Sequence, residues 1–121
     1  MFTFNHFNFN VRDLDTSLKF YQDVFGLTIV RHSENKEKGF KIVFLSDGSS
    51  DFKLELTWLA DHTEPYDLGE QEFHLAIAAE NFDEIYEKHK RMGLIVYDNQ
   101  DMGIYFVEDP DGYWIEVIPA K

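Results

Sequence analysis

The chain has 121 residues, 44% of them hydrophobic and 17% aromatic, enough for one domain with a sizeable core. Eleven basic residues against 23 acidic ones give a net charge of −12, which repels phosphate backbones and anionic lipid and counts against nucleic acid and membranes as partners. Cysteine is absent, so disulfides, zinc thiolate sites and thiol nucleophiles are excluded together, and any metal takes its ligands from His, Asp and Glu.

No apolar run is long enough to cross a bilayer, and the N-terminus lacks the basic start and small-residue cleavage site of a secretory signal, so a soluble, cytoplasmic protein is expected. The first predicted element is a strand in FTFNHFNFNV, residues 2–11. Its alternation puts His6, Asn8 and Asn10 on one side and Phe7, Phe9 and Val11 on the other, and four Phe in so short a run predict that it is well buried. Buried imidazole and amide groups need partners, from backbone, water, substrate or metal. A helix follows, with Leu14, Leu18, Tyr21 and Phe25 at helical spacing, Asp13 or Asp15 as its cap and Gly26 as its stop. Three strands come next, LTIVRH, FKIVFLS and FKLELTWL, separated by the turn-rich segments SENKEKG and DGSSD.

The polar stretch DHTEPYDLGEQ, residues 61–71, reads as a link. Beyond it the order repeats. FHLAIAA is a strand; Asn81 and Glu84 are spaced as a capping box before Phe82, Ile85, Tyr86 and His89 on one helical face; Gly93 ends that helix. LIVYD, GIYFVED and YWIEVIP then give three strands, the last preceded by a DPDG turn, in which Asp111-Gly112 is an ordinary hairpin signal. A period of about 70 residues results. The fold class expected is therefore α+β: two βαβββ modules within a single domain over 1–121, repeat 1 at about 2–60 and repeat 2 at about 71–119. Their curved mixed sheets would form a cup-shaped, half-open barrel with the helices outside.

Assigning faces brings out four residues. His74 shares a face with Ala76 and Ala78, while Leu75 and Ile77 point the other way. Glu55 shares a face with Lys53 and Thr57, opposite Leu54, Leu56 and Trp58, and Glu116 lies opposite Ile115 and Val117. His6 and His74 occupy equivalent places in the two halves, as do Glu55 and Glu116. One core histidine alone is more often a satisfied structural group than a ligand, and one mid-strand glutamate is usually solvated. All four in register across a repeat favour a metal site, since two imidazoles and two carboxylates neutralise a divalent cation and leave positions for water or substrate. His32, His62 and His89 read as structural: the first two sit in polar loop context, and His89 completes an apolar helical face.

With these residues in place the chain resembles the glyoxalase I family of the vicinal oxygen chelate superfamily, built from paired βαβββ modules. The resemblance spans nearly the whole chain. It is carried by His6 followed by VRDL, by SLKFY from Ser17, RHSEN from Arg31, LELT around Glu55, YDLG from Tyr66, FHLA around His74, and FVEDPDGYWIEV around Glu116. It implies that His6, Glu55, His74 and Glu116 bind a divalent metal, nickel or cobalt in preference to zinc. It also implies a homodimer, with His6 and Glu55 from one subunit and His74 and Glu116 from the other, although closure of one chain's halves on each other is equally open. The implied reaction turns the hemithioacetal of a 2-oxoaldehyde, such as methylglyoxal, and a thiol into a 2-hydroxyacyl thioester, a small-molecule conversion with Glu116 as general base and Glu55 as second carboxylate.

Related extradiol-type dioxygenases and thiol transferases resemble the chain at His6, His74 and Glu116 without requiring Glu55. Epimerases tend to carry glutamine at that place, and drug-binding resistance proteins use the cup without metal. The fourth ligand favours glyoxalase. Three departures concern the substrate: Asn10 stands where an arginine usually meets the thiol's carboxylate, Leu59 where an asparagine often follows the glutamate, and DNQDMG (98–103) replaces a longer loop. They point away from glutathione.

Overall fold

Alternating patterns make strands and 3.6-residue patterns make helices, and in this chain the two are cleanly separated. The computed structural model describes residues 1–121. Its elements are β1 (His6–Asn10), α1 (Leu14–Phe25), β2 (Thr28–Asn35), β3 (Phe40–Ser46), β4 (Lys53–Leu59), β5 (Leu75–Ala79), α2 (Phe82–Arg91), β6 (Ile95–Asn99), β7 (Ile104–Glu108) and β8 (Trp114–Pro119). The chain divides into two compact units, Met1–Tyr66 and Asp67–Lys121, each with the order βαβββ. Each holds one four-stranded mixed sheet, β1-β4-β3-β2 in the first and β5-β8-β7-β6 in the second. The leading strand of each unit runs parallel to its last strand, and the other pairs are antiparallel. No helix is long and apolar enough to cross a membrane.

In the first unit α1 starts where the Asp13 carboxylate accepts from the Thr16 amide at 3.1 Å, and stops at Gly26, whose φ of 68° suits glycine. Its buried side chains, Ser17, Tyr21 and Val24, complete a core with Phe9, Val43, Leu45, Leu54 and Leu56. Burying each large apolar side chain here contributes about 1.5–3 kcal/mol. Truncating the fully buried Leu56 to Ala would cost about 2–5 kcal/mol. The core of the second unit is Tyr105, Val107, Ile115 and Val117, and α2 adds His89 as its one buried residue. The Asn81 side chain does not cap the helix backbone; its amide donates to the Glu84 carboxylate at 3.0 Å, so the capping box is closed between side chains.

Three details depart from the sequence pattern. Pairing of β1 begins at His6, opposite Lys53, so Phe2 and Phe4 have no strand to lie on and are exposed; within the strand Phe7 is 40% exposed and only Phe9 is buried. The strand LTIVRH runs on through Ser33, Glu34 and Asn35, which pair with Ile42, Lys41 and Phe40, so His32 is a strand residue rather than a loop residue. Finally, each sheet carries a bulge at the same place, between Ile29 and Arg31 in β2 and between Ile95 and Tyr97 in β6.

Candidate metal centre

Register fixes which side chains meet. In the first sheet Asn8, Glu55, Phe44 and Arg31 lie in one row across β1, β4, β3 and β2. In the second, Ala76, Glu116, Phe106 and Tyr97 form the corresponding row across β5, β8, β7 and β6. His6 stands two residues before Asn8, and His74 two before Ala76, so each imidazole reaches the carboxylate of its own sheet from the same direction.

The resulting distances agree between the units. His6 Nε2 lies 3.5 Å from Glu55 Oε1, with side-chain exposures of 41% and 15%. His74 Nε2 lies 3.2 Å from Glu116 Oε1, with exposures of 42% and 17%. A phenylalanine ring meets each imidazole edge-on: Phe44 against His6 at 5.5 Å and 86°, Phe106 against His74 at 5.0 Å and 88°. The His6 imidazole and the Asn8 amide of β1 are therefore open on this face and the Asn10 amide is half-buried, rather than all being well buried as the run of Phe implied. Within each unit one His–Glu pair comes together, and no group of three or more His, Asp or Glu side chains is placed to hold an ion.

The donor chemistry fits a divalent ion. His6 Nδ1 is 2.6 Å from Asn5 Oδ1, within hydrogen-bond distance, while Nε2 faces the Glu55 carboxylate. Two ligands side by side on one ion, each about 2.1 Å from it, stand about 3 Å apart. The two His–Glu separations are close to that value.

What surrounds the pairs differs. On the first sheet, Thr57 donates its hydroxyl to Asn8 Oδ1 at 2.6 Å, and the Asn8 amide donates to Asn10 Oδ1 at 2.8 Å. Lys53 is on this face too, its Nζ donating to the Asp51 carbonyl at 2.7 Å, and the Arg31 guanidinium lies over Phe44 at 5.4 Å. On the second sheet, Trp114 packs on Phe106 at 5.3 Å and stacks with Tyr97 at 6.5 Å and 17°.

The remaining histidines take other roles. His89 is fully buried with Nδ1 2.8 Å from the Tyr105 hydroxyl, and burial pushes that phenol well above its ordinary range, so it stays protonated. His62 stacks on Tyr66 at 3.8 Å. His32 pairs with Val43 and is exposed. Phe44 and Phe106 escaped the reading by faces. Their signal was the same place in the third strand of each repeat, which becomes meaningful only once pairing aligns them with Glu55 and Glu116.

The model of the Glyoxalase/Bleomycin resistance protein/Dioxygenase superfamily matches residues 3–117. Among curated relatives, the lactoylglutathione lyase of Haemophilus influenzae is 39% identical, over 96% of this chain and 91% of the relative. That of Neisseria meningitidis serogroup A is also 39% identical, over 96% and 89%. The trypanothione-dependent glyoxalase I of Leishmania major superposes with a TM-score of 0.85 at 32% identity, covering 98% of this chain and 87% of that one.

Proposed function

This chain belongs to the Glyoxalase/Bleomycin resistance protein/Dioxygenase superfamily, and from that premise we propose that it is a metal-dependent enzyme of the glyoxalase I type. It converts the hemithioacetal of a 2-oxoaldehyde and a thiol into a 2-hydroxyacyl thioester. The observation that carries this reading is the duplicated His–Glu–Phe triplet, at matching register and matching distances in both units.

In this proposal His6, Glu55, His74 and Glu116 hold the ion, with one pair from each of two copies of the chain in a homodimer. Nickel or cobalt is the proposed metal and zinc the alternative, since nitrogen and oxygen donors suit all three. When bound, the ion supplies a Lewis acid that offsets the negative charge growing on substrate oxygen as a proton leaves carbon. The chain's own residues move that proton. The Glu116 carboxylate takes it from the hemithioacetal carbon, the released pair forms the carbon–carbon double bond of an enediolate, and the proton returns to the neighbouring carbon. The hydroxyl proton crosses between the two oxygens, so no atom is gained or lost.

Glu116 suits the base role because its row neighbours are Ala76 and Phe106, which place no charge against its carboxylate. Glu55 has Lys53 two residues along the same face and serves as the second carboxylate. Phe44 and Phe106, edge-on to the imidazoles, keep those rings aimed at the carboxylates.

Metal analysis of the purified protein, followed by thioester formation from methylglyoxal and several thiols with nickel, cobalt or zinc added, tests the proposal. Bound metal, activity lost to a chelator and activity restored by re-addition are expected. A protein that takes up no metal under any loading overturns it.

A further inference from the structure

One row on the site face of the first sheet carries no charge from edge to edge: Asn10, Thr57, Ile42 and Ser33, across β1, β4, β3 and β2. It lies directly beside the row that holds Glu55, and Asn8 ties the two rows together. Thr57 donates to Asn8, and Asn8 donates to Asn10, so three side chains on two strands form a hydrogen-bonded ladder next to the His6–Glu55 pair. Asn8 is exposed and the other two are half-buried. Such a ladder adds little to folding, because water would satisfy the same groups and ordering them costs side-chain entropy. What it provides is a fixed array of amide and hydroxyl groups at the edge of the candidate centre.

We propose that the Asn8–Asn10–Thr57 ladder binds the thiol part of the substrate and selects thiols that present uncharged amide or hydroxyl groups there. The proposal rests on the hemithioacetal reading and names its substrate class. An anionic group laid on the ladder would sit near the Glu55 carboxylate, in a chain of net charge −12, with no cation in its row. Two cations of the paired strands on this face, Lys53 and Arg31, are placed elsewhere. Lys53 is tied to the Asp51 carbonyl, and Arg31 stands three strands from Asn8, about 14 Å by strand spacing, over the Phe44 ring. An uncharged amide or hydroxyl group, by contrast, replaces water on the ladder and leaves no charge unpaired.

A matched pair of thiols isolates the charge: N-acetylcysteine, which carries a carboxylate, and its neutral amide. With the metal-loaded enzyme, the methylglyoxal adduct of the amide is expected to show a kcat/KM about tenfold or more above that of the acid. Asn10→Arg should erase or reverse that ratio, and Asn8→Ala should lower kcat/KM for the amide adduct about tenfold, the loss carried by KM. Calorimetry with the unreactive S-methyl thioethers of the same two compounds reads the preference without turnover. Equal binding of the two thioethers, or a ratio that Asn10→Arg leaves unmoved, overturns the ladder proposal even where thioester is formed. Failure to form thioester with any thiol overturns the hemithioacetal reading instead, and the thioether binding still judges the ladder.

Discussion

Through the site glutamate the first sheet reads Asn8, Glu55, Phe44, Arg31, and the second reads Ala76, Glu116, Phe106, Tyr97. The middle two positions are the same residue types and the outer two are not. A donor pair needs a nitrogen, an oxygen and something to hold the ring, and both units supply these with side-chain separations within a few tenths of an ångström. In the proposed site the outer positions would meet the substrate. They are amide and cationic in one unit, and small and aromatic in the other, where Tyr97 clusters with Phe106 and Trp114. The comparison teaches that the two units agree at the His–Glu–Phe triplet and diverge around it.

The strongest way to break that comparison is to swap the two carboxylates for amides one at a time. Glu116→Gln should lower kcat by about 10³-fold, the range for losing a general base, while the protein keeps part of its metal. Glu55→Gln should cost less in kcat, because the carboxylate beside Lys53 is a ligand rather than the base in this assignment. Metal content measured beside kcat separates the two effects. Equal losses in kcat at equal metal content would make the units interchangeable and remove Glu116 from its role.

How much of this was legible beforehand follows from where the information resides. Period-two alternation placed Glu55 with Lys53 and Thr57, and Leu54 with Leu56, because strand faces are a local property. Asp13, one of the two caps the pattern offered, and Gly26 bound α1, since caps are local too. Phe2 and Phe4 misled, because burial depends on whether a partner strand lies alongside, and β4 begins only at Lys53. The bulges after Ile29 and Ile95 leave no mark in composition, yet they decide that Arg31 and Tyr97 face the site. Phe44 and Phe106 needed cross-strand register, which one strand's sequence does not contain.

The helices sharpen the contrast differently, since the second one leans on a single buried side chain. His89 occupies the place in α2 that the fully buried Tyr21 occupies in α1. His89→Ala removes its volume and leaves the Tyr105 hydroxyl without that partner, so a loss of about 3 kcal/mol is expected in denaturant unfolding. His6→Ala and His74→Ala should each cost below about 1 kcal/mol in the metal-free protein, because both rings are about 40% exposed. Metal affinity should move the opposite way, falling in the two exposed variants and holding in His89→Ala. A metal-binding defect in His89→Ala at a temperature where it is fully folded would contradict its structural assignment.

The smallest expected difference lies in the turns that lead into β4 and β8. Each is organised by an aspartate that accepts backbone amides: Asp47 from Ser49 and Ser50, both at 2.8 Å, and Asp109 from Asp111 and Tyr113, both at 2.9 Å. Asp47 is exposed, whereas Asp109 is 5% exposed. Replacing Asp109 with Ala strands two amides in a turn partly shielded from water and should cost about 2 kcal/mol, while Asp47→Ala leaves its amides to solvent and should cost under about 1 kcal/mol. The backbone amide of Ser50, helped by that of Ser49, the Ser50 hydroxyl and Lys53 against a smaller opposing effect of burial, holds the Asp47 carboxyl below its ordinary value of 3.8. A folded value below the unfolded one stabilises the native state above about pH 4, and that contribution disappears as pH falls through the lowered folded value. The gap between wild type and Asp47→Ala should therefore be constant from neutral pH down to about pH 5 and close at lower pH. Chemical unfolding at three pH values reads it, and a gap that widens on acidification would mean that Asp47 is held by something other than its charge.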